Sequence, residues 1–232
     1  MMVENEQRPI VVIACKVMQS MLENLLPAEL ASKVSYMDYG LHRAPDKMTW
    51  TLQDEIDAVT RPSLIVLGYG LCGNGLNGLQ ARQHTLLIPR TDDCIAILLG
   101  SREAYFREFE SEPGTYYLSK GWLESGSNPL NEYLEYVEKY GKEDAEWLMD
   151  TQYASYSRLV LVTQNETDMR KYRAQAQEVA DYCERWEMRY EEILGSDAFV
   201  RQLVTVAQDL DKADGNFVIV PPGGEVRQEQ FI

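Results

Sequence analysis

Short aliphatic, β-branched runs alternate with stretches of helical periodicity along much of this chain. Runs at residues 9–14, 34–39, 63–67, 85–88, 158–163 and 216–220 have the length and composition of buried strands. Between the first two, Val17, Met21, Leu22 and Leu25 recur at helical spacing and predict a helix over residues 16–32. Further helices are expected over 51–60 and 95–99 and from residue 167 onward. Residues 111–128 break the rhythm with glycine, proline and aromatics, and a charged helical stretch follows over 129–149. The alternation predicts an α/β fold with a mostly parallel sheet and helices on both faces, Rossmann-like, within a single domain of residues 1–232. Residues 111–150 are expected to form a helical and aromatic insertion or cap. The segment after residue 220 is expected to be an exposed, mobile tail.

Composition narrows the partners. The chain of 232 residues carries 37 acidic against 22 basic side chains, a formal charge of -15 that repels phosphate backbones and anionic lipid, so no nucleic acid and no membrane partner is expected. No apolar run approaches the roughly 20 residues needed to span a bilayer. The first residues carry acidic side chains and lack the apolar stretch of a secretory leader, which points to a cytoplasmic protein. In that reducing compartment, four cysteines are thiols, ligands or catalytic groups rather than structural disulfides.

Three of them share a position. Cys15, Cys72 and Cys94 each follow a predicted strand, at the sheet edge where parallel α/β folds bind ligands. Their separations of 57 and 22 residues lack the local signature of a CxxC pair, but loops from distant strands converge at that edge. Cys15 and Cys94 also stand at predicted helix starts, which is expected to lower their pKa. Three thiolates suit zinc or an iron–sulfur cluster and leave one coordination position open. His42, in the loop after the second strand, is a candidate fourth ligand. For any one cysteine, plain packing is the simpler reading. Cys183, on an apolar helical stripe with Tyr172, Ala176 and Val179, is expected to pack in a core, and His84 falls at the opposite edge of the sheet.

A glycine-rich loop adds to that edge. Residues 73–78 match GxGxxG, yet only residues 79–84 separate them from the next strand, too few for the helix of a dinucleotide fold. The loop is therefore expected to form a wall that lets a ligand or cluster approach, with Gly70, Gly73, Asn74 and Gly75 lining it and Asn77 serving a turn or the ligand. Arg90 is a candidate for binding a carboxylate or phosphate, and Asp92 is expected to cap the following helix. Tyr69, Tyr116, Tyr117 and Trp122 are candidates for an apolar pocket wall. An alternative chemistry needs no metal: Cys94 as a nucleophile assisted by His42 or Asp93.

Several of these residues also carry a family resemblance. Cys15, Leu41-His42 with Pro45, the run Tyr69–Gly75, the run Pro89–Cys94, Leu99–Ser101, the run Pro113–Tyr117 and Gly121-Trp122 together resemble an uncharacterised domain-of-unknown-function family of anaerobic bacteria and archaea. Its members are often encoded near corrinoid-dependent methyltransferases. That resemblance implies a role in one-carbon metabolism on a small molecule, a corrinoid used indirectly, and a corrinoid protein or methyltransferase as partner, either for an enzyme or for an accessory protein that docks to it. Exposed sheet edges also allow a homodimer.

Overall fold

The computed structural model describes residues 8–231. In chain order its elements are β1 Ile10–Cys15, α1 Gln19–Leu25, β2 Lys33–Met37, α2 Pro45–Asp57, β3 Leu64–Gly68, β4 Thr85–Pro89, α3 Ile95–Leu99, α4 Arg102–Ser111 and β5 Thr115–Ser119. There follow α5 Lys120–Ser125, α6 Pro129–Tyr140, α7 Lys142–Tyr153, β6 Arg158–Thr163, α8 Glu166–Cys183, β7 Arg189–Leu194, α9 Ala198–Gln208 and β8 Phe217–Val220. The expected α/β class is what the chain adopts. The chain forms two compact units, Met1–Ile97 with Ala198–Ile232, and Leu98–Asp197. Residues 111–150, expected as an insertion, are part of the second unit and contribute a strand to its sheet.

The first unit holds a five-stranded sheet in the order β2-β1-β3-β4-β8. β1 to β4 run parallel and β8 pairs antiparallel with β4. Because β2 lies on one side of β1 and β3 on the other, the connections change direction between β1 and β3. In sheets of this kind ligands bind at the carboxyl ends of the strands that flank such a switch point. One face of the sheet, bearing Val11, Ile13, Ile65, Leu67, Leu86 and Ile88, packs on Met48, Leu52 and Ile56 of α2. α2 begins at Pro45 rather than residue 51, because proline at the first helical position loses no hydrogen bond there. The helix expected over 16–32 is shorter: a 3-10 turn at Lys16–Met18 leads into α1, which stops ahead of Pro27.

The tail is a correction. Residues after β8 are not mobile but clasp the glycine loop, with Val226 N–H donating to the Leu79 carbonyl and Gly78 N–H to the Val226 carbonyl, both at 2.8 Å. The Gln228 N–H donates to Asn77 Oδ1 at 3.0 Å, so that side chain serves the clasp. Val226 and Phe231 are fully buried beside Leu76 and Leu79, and these anchors outweigh the flexible-looking Pro-Pro-Gly-Gly that precedes them.

The second unit has a parallel three-stranded sheet, β5-β6-β7. Tyr172, Ala176, Val179 and Cys183 of α8 pack with Leu118, Leu159 and Leu161 of the sheet, so Cys183 is the core residue its spacing predicts. β7 carries Arg189, Glu191 and Glu192 and has no fully buried residue, as an edge strand protected by charge does. Among the described residues, no helix is long and apolar enough to cross a membrane. The stretch read for a leader, residues 1–7, lies outside the described residues.

Candidate functional site

The carboxyl ends of β1, β3 and β4 lead into Cys15, Tyr69, Cys72 and Cys94. Cys15 closes β1, and the ladder between β1 and β3 ends with Ala14 opposite Gly68. One step further, Cys15 and Tyr69 lie side by side. Strand alternation also puts them on the α2 face, in line with Ile13 and Leu67. After Tyr69 the chain turns along the end of β4, where Leu71 N–H donates to the Thr91 carbonyl and Cys72 N–H to the Asp92 carbonyl, both at 2.8 Å. This lacing joins Cys72 to the turn that carries Cys94. Gly70 permits it, since a Cβ there would come within 2.6 Å of Thr91 Oγ1 and 2.7 Å of the Asp93 backbone. Gly75 lies as close to α2, its virtual Cβ 2.7 Å from Met48 Sδ. Two glycines expected to line a ligand wall thus make room for protein atoms. Gly73 and Asn74 form the exposed outer bend of the same loop.

Cys72 is buried and has φ of 49°, the first of three successive left-handed residues with Gly73 and Asn74. A non-glycine residue there costs about 1–3 kcal/mol, strain that concentrates where a side chain must be aimed. Backbone N–H groups point at the sulfurs. Val17 donates to Cys15, and Gly70 and Cys94 both donate to Cys72. All three cysteines lie within electrostatic reach of one another, because charge on Cys15 and on Cys72 raises the pKa of Cys94, and charge on Cys15 raises that of Cys72.

These thiols are pushed up, not down. Burial raises Cys15 to about 11, against the opposing Val17 hydrogen bond and with Asp38 adding to the rise. Cys72 and Cys94 are raised further, first by burial and then by neighbouring Asp93 and thiol charge. The expected helix-start lowering is overturned because a three-residue 3-10 turn and a five-residue helix have weak dipoles, while burial disfavours the charged thiolates. Asp93 is itself pushed up to about 6 by burial. It also does the capping expected of Asp92, its Oδ1 accepting from Ile95 N–H at 2.8 Å.

Tyr69 is the group that sequence reasoning undervalued. It is 3% exposed, and among the described residues no hydrogen-bond partner reaches its hydroxyl. Burial raises its pKa strongly, and charge on Cys15, Cys72, Cys94 and Asp38 adds to the rise. The available signal was register: Tyr69 stands one residue beyond β3 as Cys15 ends β1. Asp38, also passed over, follows β2 and accepts from Gly40 N–H at 2.9 Å.

His42 sits on an exposed 3-10 turn after β2, with Nδ1 2.7 Å from the Tyr39 carbonyl. A carbonyl only accepts, so Nδ1 carries the proton and Nε2 holds the lone pair when the ring is neutral. Burial of part of the ring lowers its pKa. Arg90 donates from its guanidinium to the Gly215 carbonyl at 3.2 Å, and its backbone N–H donates to Asn216 at 2.7 Å. Tyr116, Tyr117 and Trp122 belong to the second unit, where Tyr116 packs edge-on against Tyr153 and Tyr156.

The donor chemistry here, three soft sulfurs with amide support and an orphaned hydroxyl, fits a thiophilic metal or cluster. Among the described residues, no three His, Cys, Asp or Glu groups form a ready ligand set.

No curated protein matches the chain, and no solved structure does. A family described as a protein of unknown function, DUF1638, matches residues 36–204, a span that includes Tyr69, Cys72 and Cys94. Over most of its length, the chain belongs to the DUF1638 family.

Proposed function

We propose that Cys15, Cys72 and Cys94 together hold a zinc ion or an iron–sulfur cluster at the switch point of the five-stranded sheet. The observation that carries this reading is the gathering of one buried and two half-buried thiols and an unpartnered hydroxyl at the carboxyl ends of the strands of the first unit. Burying the Tyr69 hydroxyl without a partner beside thiols that share this end of the sheet is unfavourable, and a cation that accepts three thiolates offsets that cost. The amides of Val17, Gly70 and Cys94 orient and stabilise the sulfurs, while Leu41 and Leu71, packed in the same core, limit water. His42 is the candidate fourth ligand through Nε2. Lewis-acid or electron-carrying chemistry is what such a group supplies when bound. The substrate proposed is a small molecule of corrinoid-linked one-carbon metabolism, supported by the sequence resemblance. A metal-free cysteine nucleophile is disfavoured, because burial holds the three thiols protonated near neutral pH.

Anaerobic purification followed by metal analysis and visible absorption tests the proposal. Stoichiometric metal is expected, lost in Cys72→Ser and retained in Cys183→Ser. A protein that stays metal-free after anaerobic reconstitution with zinc, or with iron and sulfide, overturns it.

A further inference from the structure

We infer that the Tyr69 hydroxyl is a positioning donor for the thiolates of this site, making its hydrogen bond only when a metal is held. This rests on the reading of the three cysteines as ligands. A phenol buried to this extent normally finds a partner, and this one has none among the described residues. Its ring is fixed by register, on the same face and in the adjacent strand position to Cys15, with the loop through Cys72 returning beside it. A neutral thiol is a weak acceptor, whereas a metal-bound cysteine is a thiolate and accepts strongly. The missing partner is thus a group whose acceptor strength appears on metal binding. Amides from Val17, Gly70 and Cys94 already supply part of a hydrogen-bond shell to the sulfurs, and the Tyr69 O–H is the buried donor left to add to it. Hydrogen bonds of this kind hold ligand sulfurs in place and strengthen metal affinity.

The test uses the full chain loaded with cobalt(II), whose sulfur-to-metal charge-transfer absorption reports bound thiolates. Tyr69→Phe is expected to bind cobalt with unchanged stoichiometry and about tenfold weaker affinity in competition with a chelator. Its charge-transfer band is expected at lower energy, because a thiolate that loses a hydrogen bond holds its electrons less tightly. Equal affinity and an unshifted band in the variant overturn the inference while leaving the three-cysteine site standing. Failure of the unsubstituted protein to bind cobalt overturns the site itself and the inference with it. Should Tyr69→Phe not fold by circular dichroism, 3-fluorotyrosine placed at position 69 gives the same decision: its fluorine resonance is expected to move when zinc binds, and a resonance that stays put overturns the inference.

Discussion

The two units treat buried polar groups in opposite ways. In the second unit, Glu132 is 7% exposed, and its carboxylate accepts from the hydroxyls of Tyr136 and Tyr153 and the amide of Gln152. Arg158, equally buried, donates to Thr115, Glu108 and Glu191. Each charge has a full set of partners, and the lone cysteine there, Cys183, is packed among aliphatic and aromatic side chains. In the first unit, the carboxyl ends of the strands bring together three thiols, a carboxyl pushed up to about 6 and a hydroxyl without a partner among the described residues. Polar groups satisfied by their neighbours specify a core, whereas those left with unmet capacity await something else.

The contrast breaks most visibly at Glu132. Replacing it with alanine leaves three donors without their acceptor, and a loss of about 3 kcal/mol is expected from the cost of buried unsatisfied groups. A fall in the denaturant midpoint at constant slope measures it. If Glu132→Ala is as stable as the parent, the network is ornamental and the comparison fails.

Thiol reactivity probes the other side. In metal-free protein, Cys15 at about 11 carries far less thiolate at pH 8 than an ordinary cysteine, so its alkylation is expected to be slower by roughly 100-fold than in the denatured chain and to accelerate as pH rises towards 11. Mass-resolved iodoacetamide labelling reads this site by site. Fast labelling of Cys94 at neutral pH in the same experiment would restore the nucleophile reading.

One substitution made in both units gives a smaller effect with opposite signs. Tyr153→Phe removes a hydroxyl bonded to Glu132 and is expected to cost about 1–2 kcal/mol, while Tyr69→Phe removes an unpartnered one and leaves metal-free protein as stable or more so by up to about 1 kcal/mol. Thermal melts of the two variants side by side decide it. A similar loss at both positions means Tyr69 has a partner after all.

How much of this the sequence discloses depends on how local the deciding physics is. β1, β3, β4 and β6 are buried along nearly their whole length, and their continuous aliphatic runs mark them without tertiary information. β7 escapes because Arg189–Leu194 is half charged, and β5 because Thr115–Ser119 is short and lies in an aromatic, glycine-bearing stretch. The strand-end positions of Cys15, Cys72 and Cys94 are legible from the chain, and so is the packed role of Cys183. Their protonation is not, because the sign of the pKa shift is decided by burial, which comes from segments distant in sequence such as the turn at Leu41 and the loop at Leu71. The choice between Asp92 and Asp93 as helix cap likewise turns on a turn geometry set by Thr91, whose hydroxyl donates to the Asp93 carbonyl at 2.8 Å. That Tyr69 lacks a partner is a statement about every neighbour at once, and no local pattern encodes it.

The amino-terminal edge of the same sheet supplies the mildest test. His84 is buried ahead of β4, and its Nδ1 accepts from Ser63 N–H at 3.3 Å, so here the sheet closes on a polar group that is satisfied. Burial lowers its pKa, while the hydrogen bond to Val59 and the charge of Asp57 partly oppose that shift. A group whose folded pKa lies below its unfolded one gives stability that is intact above the usual histidine range near 6.5 and is lost as pH falls through the folded value, because the unfolded chain takes up the proton first. Stability is therefore expected to decline as pH drops below about 6.5, and His84→Gln, which keeps an acceptor for Ser63 but cannot titrate, is expected to flatten that part of the curve. At the opposite edge the thiols stay protonated in this range, but Asp93, pushed up to about 6, and His42, lowered by burial, also titrate there, so the difference between the parent and His84→Gln is what isolates His84. Denaturant midpoints at intervals from pH 5 to 8 in metal-free protein give that difference, and an unchanged slope in His84→Gln would show that the acid sensitivity arises elsewhere.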